Sequence, residues 1–357
     1  MQTALRLSAG LICTAILALC ASTSTLQPGK AELKSAGSLA FGPDGVLFVG
    51  DTAGASIWAL DVQDNKPSKA ASSIEIKGVN EKIAALLGTA PDQILINDTA
   101  VNPASKNIYL SVSRGRGPDA IPVILRIDAA GKISPVTLEN IAHSSVKFSD
   151  APAPAANGRQ VEIITSIAYV DGNVIVAGLS NEEFSSTLRS IPFPFTTAEK
   201  GAGIPIYHGS HGRFETAAPV RTFIPYEINN QKEILAAYTC TPLVKIPVSD
   251  LKPGAQVKGT TIAELGNRNR PIDMIVYEKG GKHFILMANS SRGVMKIKGD
   301  NLESYTPITA QTEVTGVPYE TIDALKDVQR LKKVNDTTAL ILQGAGVSMD
   351  LRTIALP

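Results

Sequence analysis

Three features predict an all-β chain folded as a six-bladed β-propeller. They are six copies of one turn-and-strand pattern, strands that run almost continuously apolar, and 44% hydrophobic against 19% charged residues. Each copy has a turn, an apolar strand ending in small polar residues, and a second strand with a basic residue near its middle. In the first copy the turn is Gly42-Pro43-Asp44-Gly45 and the strands cover 46–51 and 56–60. The second has Asn102-Pro103-Ala104-Ser105 with 107–113 and 124–127; the third has Asp171-Gly172 with 173–180 and 187–190. The fourth has Asn229-Asn230 with 233–239 and 243–246, and the fifth Gly280-Gly281 with 283–290 and 294–297. Asn335-Asp336 opens the sixth, with 339–344 and 350–353.

Gly, Asn and Asp supply the positive φ that tight hairpins need. Continuous apolar strands suit sheets covered on both faces by neighbouring sheets. Segments between copies, such as 133–138 and 260–265, complete four-stranded antiparallel blades. The turns recur at intervals close to the length of one blade. Residues 80–87 read as a short connecting helix capped by Asn80, and 322–331 fit either a helix face or a strand. The basic residues at one register, Arg126, Arg189, Lys245, Lys296 and Arg352, mark the repeat: such a residue caps an edge or pairs with a neighbouring blade. The last copy ends soon after its third strand, so the segment 30–34 is expected to close the ring by pairing there.

Residues 1–22 form a secretory signal: Arg6, an apolar run over 11–19, then small residues from Ala21 to Ser24, where cleavage is expected. The mature chain is then one domain, 23–357, with loop insertions near 139–160 and 191–218, exported to the periplasm or beyond. Leu17-Ala18-Leu19-Cys20 approaches a lipobox but has Leu19 where a small residue belongs. No later stretch approaches the ~20 apolar residues of a membrane span. A charge of +1, from 34 basic and 33 acidic residues, excludes a nucleic-acid partner. Of three cysteines only Cys240 lies beyond the signal, which leaves a monomer without internal disulfides, and its apolar strand neighbours suggest a buried inert thiol.

The stretch 41–49, Phe-Gly-Pro-Asp-Gly-Val-Leu-Phe-Val, and the later copies resemble the secreted propellers of the NHL, YVTN and SMP-30/gluconolactonase type. The resemblance covers nearly the whole mature chain and is one of fold. It implies ligand binding at the mouth of the central channel, or, in the SMP-30 manner, a divalent metal serving a hydrolase, lactonase or lyase. The full SMP-30 ligand set is not placed on this chain. Six-bladed quinoprotein sugar dehydrogenases are related in architecture, but their Gly-Asp-rich cofactor segments are missing, which ranks a cofactor-dependent oxidoreductase lowest.

Few motifs carry chemistry. His208-Gly209-Ser210-His211-Gly212 holds two of the four histidines, and two imidazoles three residues apart suit a metal once further ligands join them. His143, His283 and Glu215 are the candidates for that role, with Ca²⁺ or Zn²⁺ as the ion. The same stretch misses a G-x-S-x-G elbow by its first residue. Residues 115–120 match a dinucleotide fingerprint by letter, but Pro118 and Pro122 forbid the helix it needs.

Asp98 and Asp273 each lie seven residues before the turn of their copy, counting to Ser105 and Gly280. With blades two and five opposed across a six-membered ring, both carboxylates would point into one channel mouth. Asp51, Arg114, Asn181, Glu182, Asn289 and Arg292 occupy strand-end loops at the same face. Carboxylates, amides and guanidinium groups around a concavity suit a small molecule, a polymer or an envelope protein.

Overall fold

A computed structural model describes residues 25–68, 73–153 and 159–357. The signal segment, with Cys13 and Cys20, lies outside the described residues. Six antiparallel sheets of four or five strands are arranged as a propeller. Their innermost strands are Leu39–Phe41, Ile94–Val101, Ser166–Val170, Thr222–Ile228, Pro271–Lys279 and Val328–Lys333, which open blades one to six in chain order. The turns of copies one, three, four and five take the expected positive φ, whereas copy two places it on Lys106 and Asn335-Asp336 does not adopt it. Asn229 and Asn230 have φ of 51° and 60°, Gly280 and Gly281 of 61° and 71°, so each pair makes a two-residue hairpin whose twist matches its strands.

Spatial order departs from chain order. The core between blades one and three contains Phe48, Ile57, Ile167 and Val176. Blades one and two share Leu47, Leu60, Tyr109 and Ile124, and blades two and six share Leu110, Leu125, Leu340 and Leu351. Three further cores join three to four, four to five and five to six. Around the ring the order is therefore 1-3-4-5-6-2. Blade two sits between one and six, and blades two and five are separated by blade six alone. They do not face each other, as sequential order would have required.

Two sheets are composites. Blade one takes its fourth strand from Ile141–Lys147, which the sequence reading assigned to an insertion, and a fifth from Gln27–Gly29. Blade six takes its fourth strand from Glu75–Ile76, paired with Arg352 and Leu351. The ring is thus closed by a strand from the N-terminal third of the chain, but not by 30–34. That segment follows blade one instead: Ala31 donates its N–H to the carbonyl of Leu138, and the N–H groups of Lys34 and Ser35 go to Asp51.

The helix Val79–Leu87 begins after Gly78, whose φ is 58°, so Asn80 is inside it and not its cap. The buried Asn80 side chain accepts from the Met349 N–H and donates to the Val347 carbonyl, fastening the helix to blade six. Residues 319–322 and 328–333 are strands, because both belong to sheets whose neighbours need partners. The recurring basic residues are structural. Arg189 pairs with Asp150 at 2.8 Å with both side chains 0% exposed, and Lys296 pairs with Glu320. The segment 191–218 supplies the outer strand Ala202–Gly203 of blade three and a hairpin of Ile206–His208 and Arg213–Glu215, packed beside blade four.

Ile76 lies in the core of blades two and six. Truncation by Ile76→Ala should lower stability by about 2–4 kcal/mol, the usual loss for a buried Ile. Urea unfolding measures it; a change below ~0.5 kcal/mol would show that the borrowed strand is dispensable to blade six.

Candidate functional site

The two channel-mouth aspartates do converge, on a cation the chain itself supplies. Each follows a bulge in its innermost strand, where the register shifts between Ile96 and Asp98 and between Pro271 and Asp273. The bulge turns the carboxylate toward the next blade. Lys332 Nζ, on the innermost strand of blade six, lies 3.2 Å from Asp98 Oδ1 and 3.0 Å from Asp273 Oδ2. The remaining capacity goes to backbone: Asp98 Oδ2 accepts from Leu39 N and Asp273 Oδ2 from Leu331 N, each at 2.9 Å. Burial works against the Lys332 charge, but the carboxylates of Asp273 and Asp98 outweigh it and hold the amine above the usual lysine range. Arg330 adds a second cation 3.7 Å from Asp98. The place the sequence reading offered to a metal or a ligand is filled by an ammonium group.

The other loop residues divide. Asp51 is buried and accepts from the amides of Lys34, Ser35 and Gly54, so it folds its own loop. Asn289 is buried against Asn269, Glu182 pairs with Lys200 at the surface, Asn181 is exposed and donates its backbone N–H to Asp150, and Arg114 is half-buried. Arg292 of this set borders a substantial concavity.

That concavity is a cleft of ≈ 530 Å³ beside blades four and five, lined by Ser210, Glu264, Gly266, Asn267, Arg292 and residues 311–314. Glu264 ends the fourth strand of blade four and is 1% exposed. Its Oε1 accepts the Gly209 N–H at 2.6 Å, whereas its Oε2 has no hydrogen-bond partner, and neither has the Ser210 hydroxyl. Burial pushes the Glu264 carboxyl up to about 7 against the pull of the Gly209 and Ser210 amides. Arg292 spends Nη1 on the carbonyls of Gly266 and Asn267. Gly266 has φ of 117°, and a Cβ there would fall 2.8 Å from the guanidinium, so only glycine fits.

Against this cleft the insertion hairpin places His208 and His211. Their rings lie 3.9 Å apart, and Glu215 receives both: His208 Nδ1 at 2.8 Å and His211 Nδ1 at 2.7 Å. Burial alone would raise the Glu215 carboxyl, but the two imidazole donors hold it below the usual range. Burial in turn pushes the His208 imidazole down, despite Glu215. A neutral ring that donates through Nδ1 keeps its lone pair on Nε2, and that buried Nε2 has no partner.

Cys240 completes the group. It is half-exposed in the turn between Gln231–Ala237 and Pro242–Pro247, not an inert thiol in a strand. Cys240 and Thr241 have φ of 62° and 59°, values that favour glycine or asparagine, and Thr241 is β-branched. Bonds from the next loop hold the strained pair: Cys240 N to Asn269 O, and Thr241 Oγ1 to Gly266 O. Its Sγ donates to Asn267 Oδ1 at 3.2 Å. One donor atom each from His208, His211 and Cys240 all lie within 4.8 Å of one another. Of the further ligands considered from sequence, Glu215 orients the histidines, while His143 bonds the Ile141 carbonyl and His283 pairs with Asp300 elsewhere.

No protein-family model and no curated protein sequence matches the chain. Solved structures align along most of its length. The PQQ-bound aldose sugar dehydrogenase of Streptomyces coelicolor is 11% identical with a TM-score of 0.36, over 93% of this chain and 97% of that one. A glucose dehydrogenase is 11% identical with a TM-score of 0.40, over 93% and 98%. Drosophila Plexin A in complex with Semaphorin 1b is 10% identical with a TM-score of 0.40, over 93% and 87%. No residue role is taken from likeness at this level.

Lys332→Met should destabilise the protein by about 3–5 kcal/mol, because it leaves the Asp273 carboxylate without its cation and Asp98 with Arg330 alone. Adding Asp98→Asn and Asp273→Asn should recover much of that loss, since the three act as one unit. Denaturant unfolding of the single and triple variants measures both; additive losses would show that the groups are energetically separate.

Proposed function

We propose that the protein is an exported propeller that binds a small polar molecule in the cleft of Glu264 and Arg292, not in the mouth of the channel. One observation carries the reading: Glu264 Oε2 and Ser210 Oγ are buried, unpartnered and line the same cleft. A buried polar atom without a partner costs about 1–3 kcal/mol, which a ligand's hydroxyl or amine would relieve. Arg292 on the same cleft suits an anionic oxygen of that ligand. A small acid that also carries a hydroxyl or amine meets both walls.

Hydroxy acids, sugar acids and amino acids form the panel to screen by thermal shift and then by calorimetry. At least one should bind the wild-type protein, and Glu264→Gln and Arg292→Ala should each weaken it about 10-fold to 100-fold, the worth of one charge-assisted hydrogen bond. No binding across the panel, or equal affinity in both variants, would refute the reading.

Export rests on the apolar run over 11–19 and on packing. Leu26 is buried in the core of blades one and three, so cleavage has to fall before it. N-terminal sequencing of the exported protein should begin between Ala21 and Leu26. An intact Met1 would overturn export by this signal, and a lipid on Cys20 would make the protein a lipoprotein.

A further inference from the structure

We infer that His208, His211 and Cys240 form a binding site for one borderline-soft divalent ion, Zn²⁺ or Cu²⁺, with Glu215 as its orienting carboxylate. The site stands on its own side chains, whatever the neighbouring cleft binds.

Four observations support it. Three donor atoms from two separate segments, the insertion hairpin and the turn of blade four, already lie within 4.8 Å of one another. Both histidines give Nδ1 to one carboxylate, the arrangement that fixes tautomer and ring orientation in metal-bound imidazoles and leaves Nε2 for the ion. His208 is 2% exposed, yet its Nε2 has no partner, a loss that coordination would remove. Cys240 is held at positive φ, a strained conformation that the bonds from Gly266 and Asn269 over-determine.

Donor chemistry selects the ion. Two imidazoles and a thiolate suit zinc or copper, whereas calcium takes six to eight oxygens, so the calcium considered from sequence is not the ion for this set. On binding, the Cys240 proton passes to solvent and the sulfur coordinates as thiolate, ending its donation to Asn267. Three protein donors leave a fourth position of a tetrahedron to water, the layout of a site open to exchange. Arg213 lies 3.7 Å from Glu215 and adds no donor.

Titration of the metal-free protein with Co²⁺, a spectroscopic stand-in for Zn²⁺, tests the assignment. One equivalent should produce tetrahedral visible bands and a near-ultraviolet thiolate-to-cobalt band, and Zn²⁺ should displace it stoichiometrically. Cys240→Ser should abolish the thiolate band. His211→Ala, at an exposed residue, should weaken Zn²⁺ at least 100-fold with the far-ultraviolet circular dichroism unchanged. Glu215→Gln should weaken it about 10-fold to 100-fold while stoichiometry stays at one. Titration with Cu²⁺ should give an intense thiolate-to-copper band that Cys240→Ser removes. Failure of Co²⁺, Zn²⁺ and Cu²⁺ to bind, a thiolate band that survives in Cys240→Ser, or unchanged affinity in folded His211→Ala would overturn the inference.

Discussion

The ring depends on one ion cluster in which Asp273 is buried and Asp98 and Lys332 are partly buried. Lys332 of blade six holds Asp273 of blade five and Asp98 of blade two, and Asp98 also accepts an amide of blade one. Four neighbouring blades are therefore linked through three side chains at their innermost strands, where sheets converge and side-chain packing has least room. Hydrophobic cores between blades hold each pair of faces together but do not choose which sheet is whose neighbour. A carboxylate that needs both a cation and a particular amide does.

The placement of everything else follows from blade order. Because blade two is inserted between one and six, Asp98, Asp273 and Lys332 satisfy one another, and the cleft with the unpartnered Glu264 and Ser210 atoms lies apart from them, at blades four and five. There the insertion hairpin, the Cys240 turn and the loop after Glu264 meet. Asn267 joins the two halves of this region, as it accepts from Cys240 and also lines the cleft. That amide ties the thiol to the wall of the cleft.

Much of the architecture was legible in the chain. Turn pairs such as Asn229-Asn230 and Gly280-Gly281 announce hairpins through local stereochemistry, and the apolar runs after them announce sheets covered on both faces. Blade order was not legible, because it is written in the pairing of Glu75–Ile76 and Ile141–Lys147 with distant strands, and short strands carry almost no periodicity. Asp98 and Asp273 meet through blade six and not across the ring, and Lys332 reads as an ordinary strand lysine until the ring brings it between them. His208 and His211 stood out by rarity. Cys240 and Glu264 did not, since each lies in strand-like surroundings; the available signal was Cys-Thr in a turn that elsewhere calls for glycine or asparagine.

The composite sheets bear on how the molecule is made. A ribosome delivers blade one's first three strands early, yet their fourth partner arrives only with residues 141–147. Ile74 waits longer still, for Thr353, 279 residues further on. Loop closure over such a span is slow, and an unpaired edge left waiting invites a strand from another chain. Blades three to five arise mostly from contiguous segments and are able to assemble in the order of synthesis, whereas the sheets on either side of blade two stay unfinished. Nascent chains are consequently most exposed to misassembly at that sector, and its completion by residues 351–353 commits the whole circle at once.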